Sequence, residues 1–76
     1  MRTKKLYIVL TFRTTTDAME AEELSQELNL SGRIIPVPPQ ISSGCGLALR
    51  LSPEDYKLFS SKIRTDLWEK ATDILL

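Results

Sequence analysis

Histidine is absent from this sequence of 76 residues, and cysteine occurs once. Without histidine, no Ser-His or Cys-His catalytic pair can form, and no side chain titrates near neutral pH in its ordinary state. A single cysteine excludes an internal disulfide and a cysteine-rich zinc site, and it fits a reducing compartment. We therefore expect no metal and no cofactor, and any chemistry must run through the thiol of Cys45.

The chain also lacks an excess of charge of one sign and a long apolar segment. Ten basic residues balance ten acidic ones, so a nucleic-acid partner is not expected. The apolar run Leu6–Leu10 ends at Thr11, well short of the roughly 20 residues of a membrane span. The length suits one small domain, residues 1–76,. These properties predict a cytoplasmic protein that binds neither nucleic acid nor membrane.

Alternation of apolar residues predicts three strands. Lys5–Phe12 has apolar residues on both faces, as expected of a central strand. Arg33–Val37 contains a proline that cannot donate a ladder hydrogen bond, so this second strand should lie at an edge of the sheet. Leu47–Leu51 is the third strand. Its leucines should face inward, with Ala48 and Arg50 facing outward.

Two helices are predicted between and after these strands. The first runs from about Asp17 to Leu28, capped by Thr16 or Asp17 itself. It carries five acidic residues and no basic one, a pattern of solvated surface or, less often, of a docking face for a basic partner. The second helix begins after the cap Ser52 and should end near residue 64 or 65,.

The C-terminal stretch Asp66–Leu76 fits both a helical face and a strand face. A fourth strand, Leu67–Ile74, would complete an α+β fold of the ferredoxin-like type, a split βαβ sandwich of order β-α-β-β-α. A right-handed crossover makes the first two strands parallel, with the third antiparallel between them. This topology places the loop Pro38–Gly46 at the same end of the sheet as Arg13 and the start of the first helix.

Cys45 lies between Gly44 and Gly46. The glycines leave the sulfur and the neighbouring amides open to a ligand, which suits a working thiol. Alternatively, Cys45 shares side-chain parity with Leu47 and is buried as a small hydrophobe. The chain would then be a non-catalytic interaction module with a buried or redox-sensing cysteine, which associates with a partner or as a homodimer through its sheet. The residues alone support both interpretations.

Several short motifs occur together in this chain: Tyr7-Ile8-Val9 with Thr11-Phe12, Thr16-Asp17-Ala18 with Ala21-Glu22, Ile35-Pro36-Val37-Pro38, and Ile41-Ser42-Ser43-Gly44-Cys45-Gly46-Leu47-Ala48-Leu49-Arg50. With them the chain resembles the small bacterial family described as Putative Se/S carrier protein-like. The resemblance implies that Cys45 is a carrier thiol that holds sulfur or selenium as a persulfide or selenosulfide. The implied partners are sulfur or selenium donor and acceptor proteins, and the chain would be a carrier rather than a stand-alone enzyme.

Five further residues are expected to support such a thiol. Gly44 and Gly46 give access to the sulfur, and Ser42 and Ser43 could donate hydrogen bonds to an anionic adduct. Arg13 and the N-terminus of the first helix supply positive potential that favours the thiolate.

Overall fold

Two helices pack on one face of a four-stranded antiparallel sheet in the computed structural model, which describes residues 4–41 and 44–76. The elements in chain order are β1 (Leu6–Thr11), α1 (Thr15–Glu27), β2 (Arg33–Pro36), β3 (Leu47–Leu51), α2 (Pro53–Lys62), a 3-10 turn (Thr65–Leu67) and β4 (Lys70–Leu75). No helix among the described residues is long and apolar enough to cross a membrane.

The strand order is β2-β3-β1-β4, and each neighbouring pair is antiparallel. Since β3 lies antiparallel between β1 and β2, the latter two strands are parallel to each other. The predicted ferredoxin-like topology, the central position of β1 and the edge position of β2 are therefore confirmed. Pro36 is tolerated because β2 has a neighbour on one side only.

The start of α1 differs from the prediction. Thr14, rather than Thr16 or Asp17, is the N-cap: its backbone is extended (φ −136°, ψ 156°), and its hydroxyl accepts a hydrogen bond from the backbone N–H of Asp17 at 3.1 Å. The helix therefore starts at Thr15. Three consecutive threonines can each cap a helix, and the one nearest the end of β1 does so here.

The end of α1 is closed by a left-handed residue. Asn29 has φ 58°, which asparagine tolerates better than most residues,. The N–H of Leu30 donates to the carbonyl of Ser25 at 2.9 Å, and the N–H of Asn29 donates to that of Gln26 at 3.0 Å. This pair of bonds is a Schellman motif. Gly32 has a packing role, since a Cβ there would overlap Ser25 Oγ and lie 2.9 Å from Leu51 Cδ2.

The second helix begins as predicted and ends earlier. The Ser52 hydroxyl accepts from the N–H of Asp55 at 3.1 Å, and a proline occupies the first turn. The helix ends at Lys62, because the backbone of Ile63 is already extended (φ −113°, ψ 140°). The predicted end at residue 64 or 65 is thus wrong by two or three residues.

The fourth strand exists, but it starts three residues later than Leu67. Leu67 and Trp68 turn toward the helices instead of joining the sheet, and both are buried. The Trp68 ring centroid lies 5.5 Å from that of Phe59 and 6.2 Å from that of Tyr56. Trp68 therefore lies outside the strand, unlike in the predicted span Leu67–Ile74, because aromatic packing under α2 fixes its side chain.

Buried apolar residues form two clusters, one on each face of the sheet. The helix-side cluster lies under the two helices and consists of Ile8, Leu10, Phe12, Ala18, Ala21, Leu49, Leu51, Phe59, Leu67 and Trp68. The open-face cluster, on the opposite side, consists of Val9, Ala48 and Ile74, with Ile35, Val37 and Ile41 packed against it.

Ala48 faces outward from the helices, as predicted, but it is fully buried. Its side chain belongs to the open-face cluster, where Ile41 from the loop after β2 packs. The sheet face opposite the helices is therefore partly covered by Ile41 of the chain's own loop.

Candidate functional site

The loop between β2 and β3 carries the thiol, and a backbone hydrogen bond joins its two ends. The N–H of Val37 donates to the carbonyl of Gly46 at 3.1 Å, which extends the β2-β3 pairing beyond the strands. Within the first part of the loop, the N–H of Ile41 donates to the carbonyl of Pro38 at 3.0 Å. Pro38 is buried. The ends of the loop are thereby fixed to the sheet.

Two residues of this loop lie on opposite faces of the sheet. Ile41 packs against the open-face cluster, whereas Cys45 packs against the helix-side cluster. Ser42 and Ser43, predicted to support the thiol, lie outside the described residues.

Cys45 is a thiol of intermediate exposure. Its side chain follows the inward parity of Leu47 and touches the core, yet part of it remains accessible. Neither simple expectation, a fully open thiol or a fully buried one, describes this position. Cys45 is therefore partly accessible to solvent and partly packed against the core.

The Cys45 sulfur is hydrogen-bonded to one residue of β3. The thiol donates to the carbonyl of Leu47 at 3.4 Å, and the backbone N–H of Leu47 donates to the sulfur at 3.5 Å. A sulfur that has lost its proton can no longer donate to the Leu47 carbonyl. It can still accept from the Leu47 N–H, whose hydrogen carries a partial positive charge,. The sequence did not single out Leu47 for this role, because backbone donors leave no residue-type signature.

The two glycines differ in what they contribute. Gly46 has φ +78°, a left-handed conformation that favours glycine, and among the described residues no atom outside its two chain neighbours lies within 4 Å of the position of a Cβ there. Gly44 lies beside the β1-α1 connection, where a Cβ would be 3.7 Å from the carbonyl oxygen of Arg13. Gly46 therefore meets a conformational requirement, while both residues keep the neighbourhood of the sulfur open.

The loop lies at the sheet end that the topology predicted. Arg13 follows β1, its side chain is exposed, and its backbone carbonyl adjoins Gly44. Thr14, the N-cap of α1, comes next in the chain. Cys45, Gly44, Gly46 and Arg13 are therefore brought to one end of the molecule.

Arg50, close to Cys45 in sequence, belongs to a different surface. Its guanidinium carbon lies 4.4 Å from the centroid of the Tyr7 ring. Arg50 is the register partner of Val9, a member of the open-face cluster, whereas Cys45 contacts the helix-side cluster. Arg50 therefore faces away from the helices, as predicted, on the side of the sheet opposite the Cys45 side chain.

Metal binding has no structural support in the part of the chain that is described. Residues 4–41 and 44–76 contain no group of three or more cysteine, aspartate or glutamate side chains positioned to hold an ion. The chemistry that the arrangement supports is that of one accessible thiol with a backbone N–H beside it.

Comparison with protein families identifies the family of this chain. No curated protein and no solved structure matches the chain. The family model described as Putative Se/S carrier protein-like matches residues 7–66, from the second residue of β1 to the turn before β4. The match includes the whole Cys45 loop and most of the sequence, so the chain belongs to the Putative Se/S carrier protein-like family.

Proposed function

We propose that this protein is a sulfur or selenium carrier and that Cys45 is the atom-holding thiol. The observation that carries the proposal is the position of Cys45: it is partly exposed just before the start of β3, it lies between two glycines, and a backbone N–H is 3.5 Å from its sulfur. Family membership supports the same role. The partners are a donor protein and an acceptor protein.

The loading step is a thiol exchange. The Cys45 thiolate attacks the outer sulfur of a cysteine persulfide on the donor, forming a new S–S bond to that atom. The bond between the two donor sulfurs breaks, and the donor cysteine leaves as a thiolate that takes up the proton given up by Cys45. The transferred sulfur keeps its oxidation state, so no external oxidant or reductant is needed. Unloading onto the acceptor is the same exchange in the opposite sense.

The surroundings of Cys45 suit both halves of this cycle. The open side of the sulfur admits a partner's cysteine, and the glycines present no side chains that would obstruct its approach. The side that packs against the core holds the sulfur in one place, which limits the entropy lost when the partner docks,. The N–H of Leu47 offers a hydrogen bond to the anionic sulfur before attack.

Loading is tested by incubating the purified protein with a cysteine desulfurase and cysteine, followed by mass spectrometry of the intact chain. We expect one added sulfur atom, removed by a thiol reductant, and none on Cys45→Ser. Equal addition to both proteins, or none to the wild type, would contradict the proposal. A native thiol titration provides a control, since a Cys45 that reacts only after unfolding would instead favour an interaction module.

A further inference from the structure

Every charged side chain on the face of the sheet opposite the helices is basic, within the described strands. Arg33 and Arg50 are register partners on β2 and β3, and Arg50 is in turn the partner of Val9. Lys70 is the partner of Thr11 on the same face. Lys5 continues the β1-β4 ladder through backbone bonds of 3.0 and 2.9 Å with Leu76, and its parity places it on this face as well. We name Lys5, Arg33, Arg50 and Lys70 the basic face.

Two of these cations are direct cross-strand neighbours. Cβ atoms of such neighbours lie about 5 Å apart, and like charges in this arrangement destabilise a sheet. Tyr7 offsets part of this repulsion, because its ring lies under the Arg50 guanidinium,. Arg33 remains exposed at the edge. A pair of like charges that lowers stability is expected at a binding surface, where a partner supplies the opposite charge.

The charges that would balance this face lie on the other side of the molecule. Helix α1 carries five acidic residues and no basic one, and it packs on the helix-side cluster. The formal net charge of zero therefore conceals two surfaces of opposite sign, separated by the sheet. The basic face has a field of its own that attracts anionic partners at short range.

The basic face also has an apolar part. Ile35, Val37 and Ile41 are only partly buried where they pack on the open-face cluster. This patch lies next to the cations, at the end of the sheet that carries the loop. A surface with adjacent aliphatic and cationic areas complements a segment that presents apolar and acidic side chains together.

We propose that the basic face docks an acidic, amphipathic segment of a partner protein. Nucleic acid fits less well, because sheet faces that bind single strands stack bases on exposed aromatic rings. The aromatic residue of this face is Tyr7, and Arg50 already covers its ring. Aliphatic residues occupy the rest of the centre.

The docking surface has a direct relation to the thiol loop. Ile41 lies on the basic face, and Cys45, a few residues further along the same loop, lies on the other side of the sheet. A partner seated on Ile41 therefore touches the loop without covering the sulfur. The docking proposal holds whether or not Cys45 carries sulfur.

Binding is tested by titrating isotope-labelled protein with a synthetic helical peptide that has leucine along one face and glutamate elsewhere, with NMR shifts as the readout. We expect salt-sensitive shifts centred on Ile35, Ala48 and Arg50. The double substitution Arg33→Gln with Arg50→Gln should weaken binding at least tenfold. The matched control, Lys57→Gln with Lys62→Gln, removes the same charge from α2 and should leave affinity unchanged.

The single substitution Arg33→Gln adds a readout that does not depend on the peptide. Because it removes the cross-strand repulsion between Arg33 and Arg50 at an exposed edge, it should raise the melting temperature while weakening binding,. Four results would each overturn the proposal. They are NMR shifts on α1 or α2, an affinity that the substitutions do not change, no binding at millimolar peptide, and tighter binding of a single-stranded oligouridine than of the peptide. Cys45→Ser should bind the peptide like the wild type, so failure of the carrier function is distinguishable.

Discussion

At the scale of single residues, Asp55 makes the best-defined polar contacts between distant parts of the chain. Its Oδ2 accepts from the hydroxyl of Ser31 at 2.6 Å and from the backbone N–H of Ser31 at 2.9 Å. These bonds favour the carboxylate and hold the pKa of Asp55 below its ordinary value of 3.8, against a smaller opposing effect of burial. One carboxylate therefore joins the start of α2 to the segment before β2.

We expect Asp55→Asn to lower the free energy of unfolding by about 1 kcal/mol at pH 7, a value reduced for solvent exposure. Because the folded pKa lies below the unfolded one, this contribution is complete above pH 3.8 and is lost as the pH falls through the folded pKa,. Denaturant unfolding of both proteins at pH 7 and pH 3 measures the difference. It should shrink at the lower pH, and a difference that grows instead would contradict the assignment.

Asp66→Asn is the matched control for Asp55→Asn. Asp66 forms an ion pair with Arg64 at 3.2 Å, but its side chain is 79% exposed. Exposed ion pairs contribute little to stability. The control variant should therefore unfold at nearly the same denaturant concentration as the wild type at both pH values.

Arg13 is the residue whose effect on Cys45 can be measured most directly. Alkylation of a cysteine proceeds through its anionic sulfur, and we expect the positive charges of Arg13 and of the N-terminus of α1 to attract that anion. We expect Arg13→Ala to slow alkylation of Cys45 by iodoacetamide about two- to fivefold near pH 7. The alkylation rate is measured by quenching the reaction at successive times and determining the alkylated fraction by mass spectrometry.

Arg50→Ala is the control for the alkylation experiment. It removes the same charge from the basic face, where the guanidinium stacks on Tyr7 rather than lying near the loop. Arg50→Ala should change the alkylation rate of Cys45 less than Arg13→Ala does. The opposite ranking would mean that Arg13 does not act on the sulfur.

At the scale of helices and strands, the N-cap of α1 gives a prediction that separates two candidate residues. Thr14 accepts the capping hydrogen bond, whereas the exposed Thr16 lies within the first turn. We expect Thr14→Ala to cost about 1 kcal/mol of stability. Thr16→Ala should be neutral or slightly stabilising, because alanine is the better helix former. Thermal unfolding of both variants measures the contrast, and equal losses would place the cap elsewhere.

Elements whose ends carry a chemical signal could be predicted from the sequence. Ser52 followed by proline fixes the start of α2, and Pro36 restricts β2 to an edge. The start of β4 could not be predicted in this way. Leu67 and Trp68 have the side chains of a strand, but they are drawn under α2 by contacts with Phe59, which is distant in the chain.

The candidate site was predictable to the same degree. The alternation of residues in the strands and the right-handed crossover rule placed the Cys45 loop beside Arg13. Both could be applied from the order and pattern of the elements in the sequence. The partial burial of Cys45 was not predictable, since it depends on how its side chain packs against the helix-side cluster, whose residues are distant in the chain. The burial of Ala48 was not predictable either, as Ile41 of that loop packs over it.

At the scale of the whole molecule, net charge was a poor guide to surface properties. Equal numbers of acidic and basic residues indicated an absence of strong fields, yet α1 collects acids and the basic face collects cations. Alternation in the strands places Arg33, Arg50 and Lys70 on one side. A count made separately for each face of each element, rather than for the chain, would have found this separation.

The pairing of β1 with β4 bears on how the chain reaches this structure. Leu6 pairs with Leu75 and Thr11 with Lys70. The first strand of the sheet in chain order therefore pairs with the last one, and this pairing cannot form until β4 has been synthesised. Contacts between such remote segments slow folding, because a large loop must close before they form. Until then, one edge of β1 stays unpaired, and this strand is apolar on both faces. During synthesis, a nascent chain that stalls before β4 would expose an aggregation-prone edge.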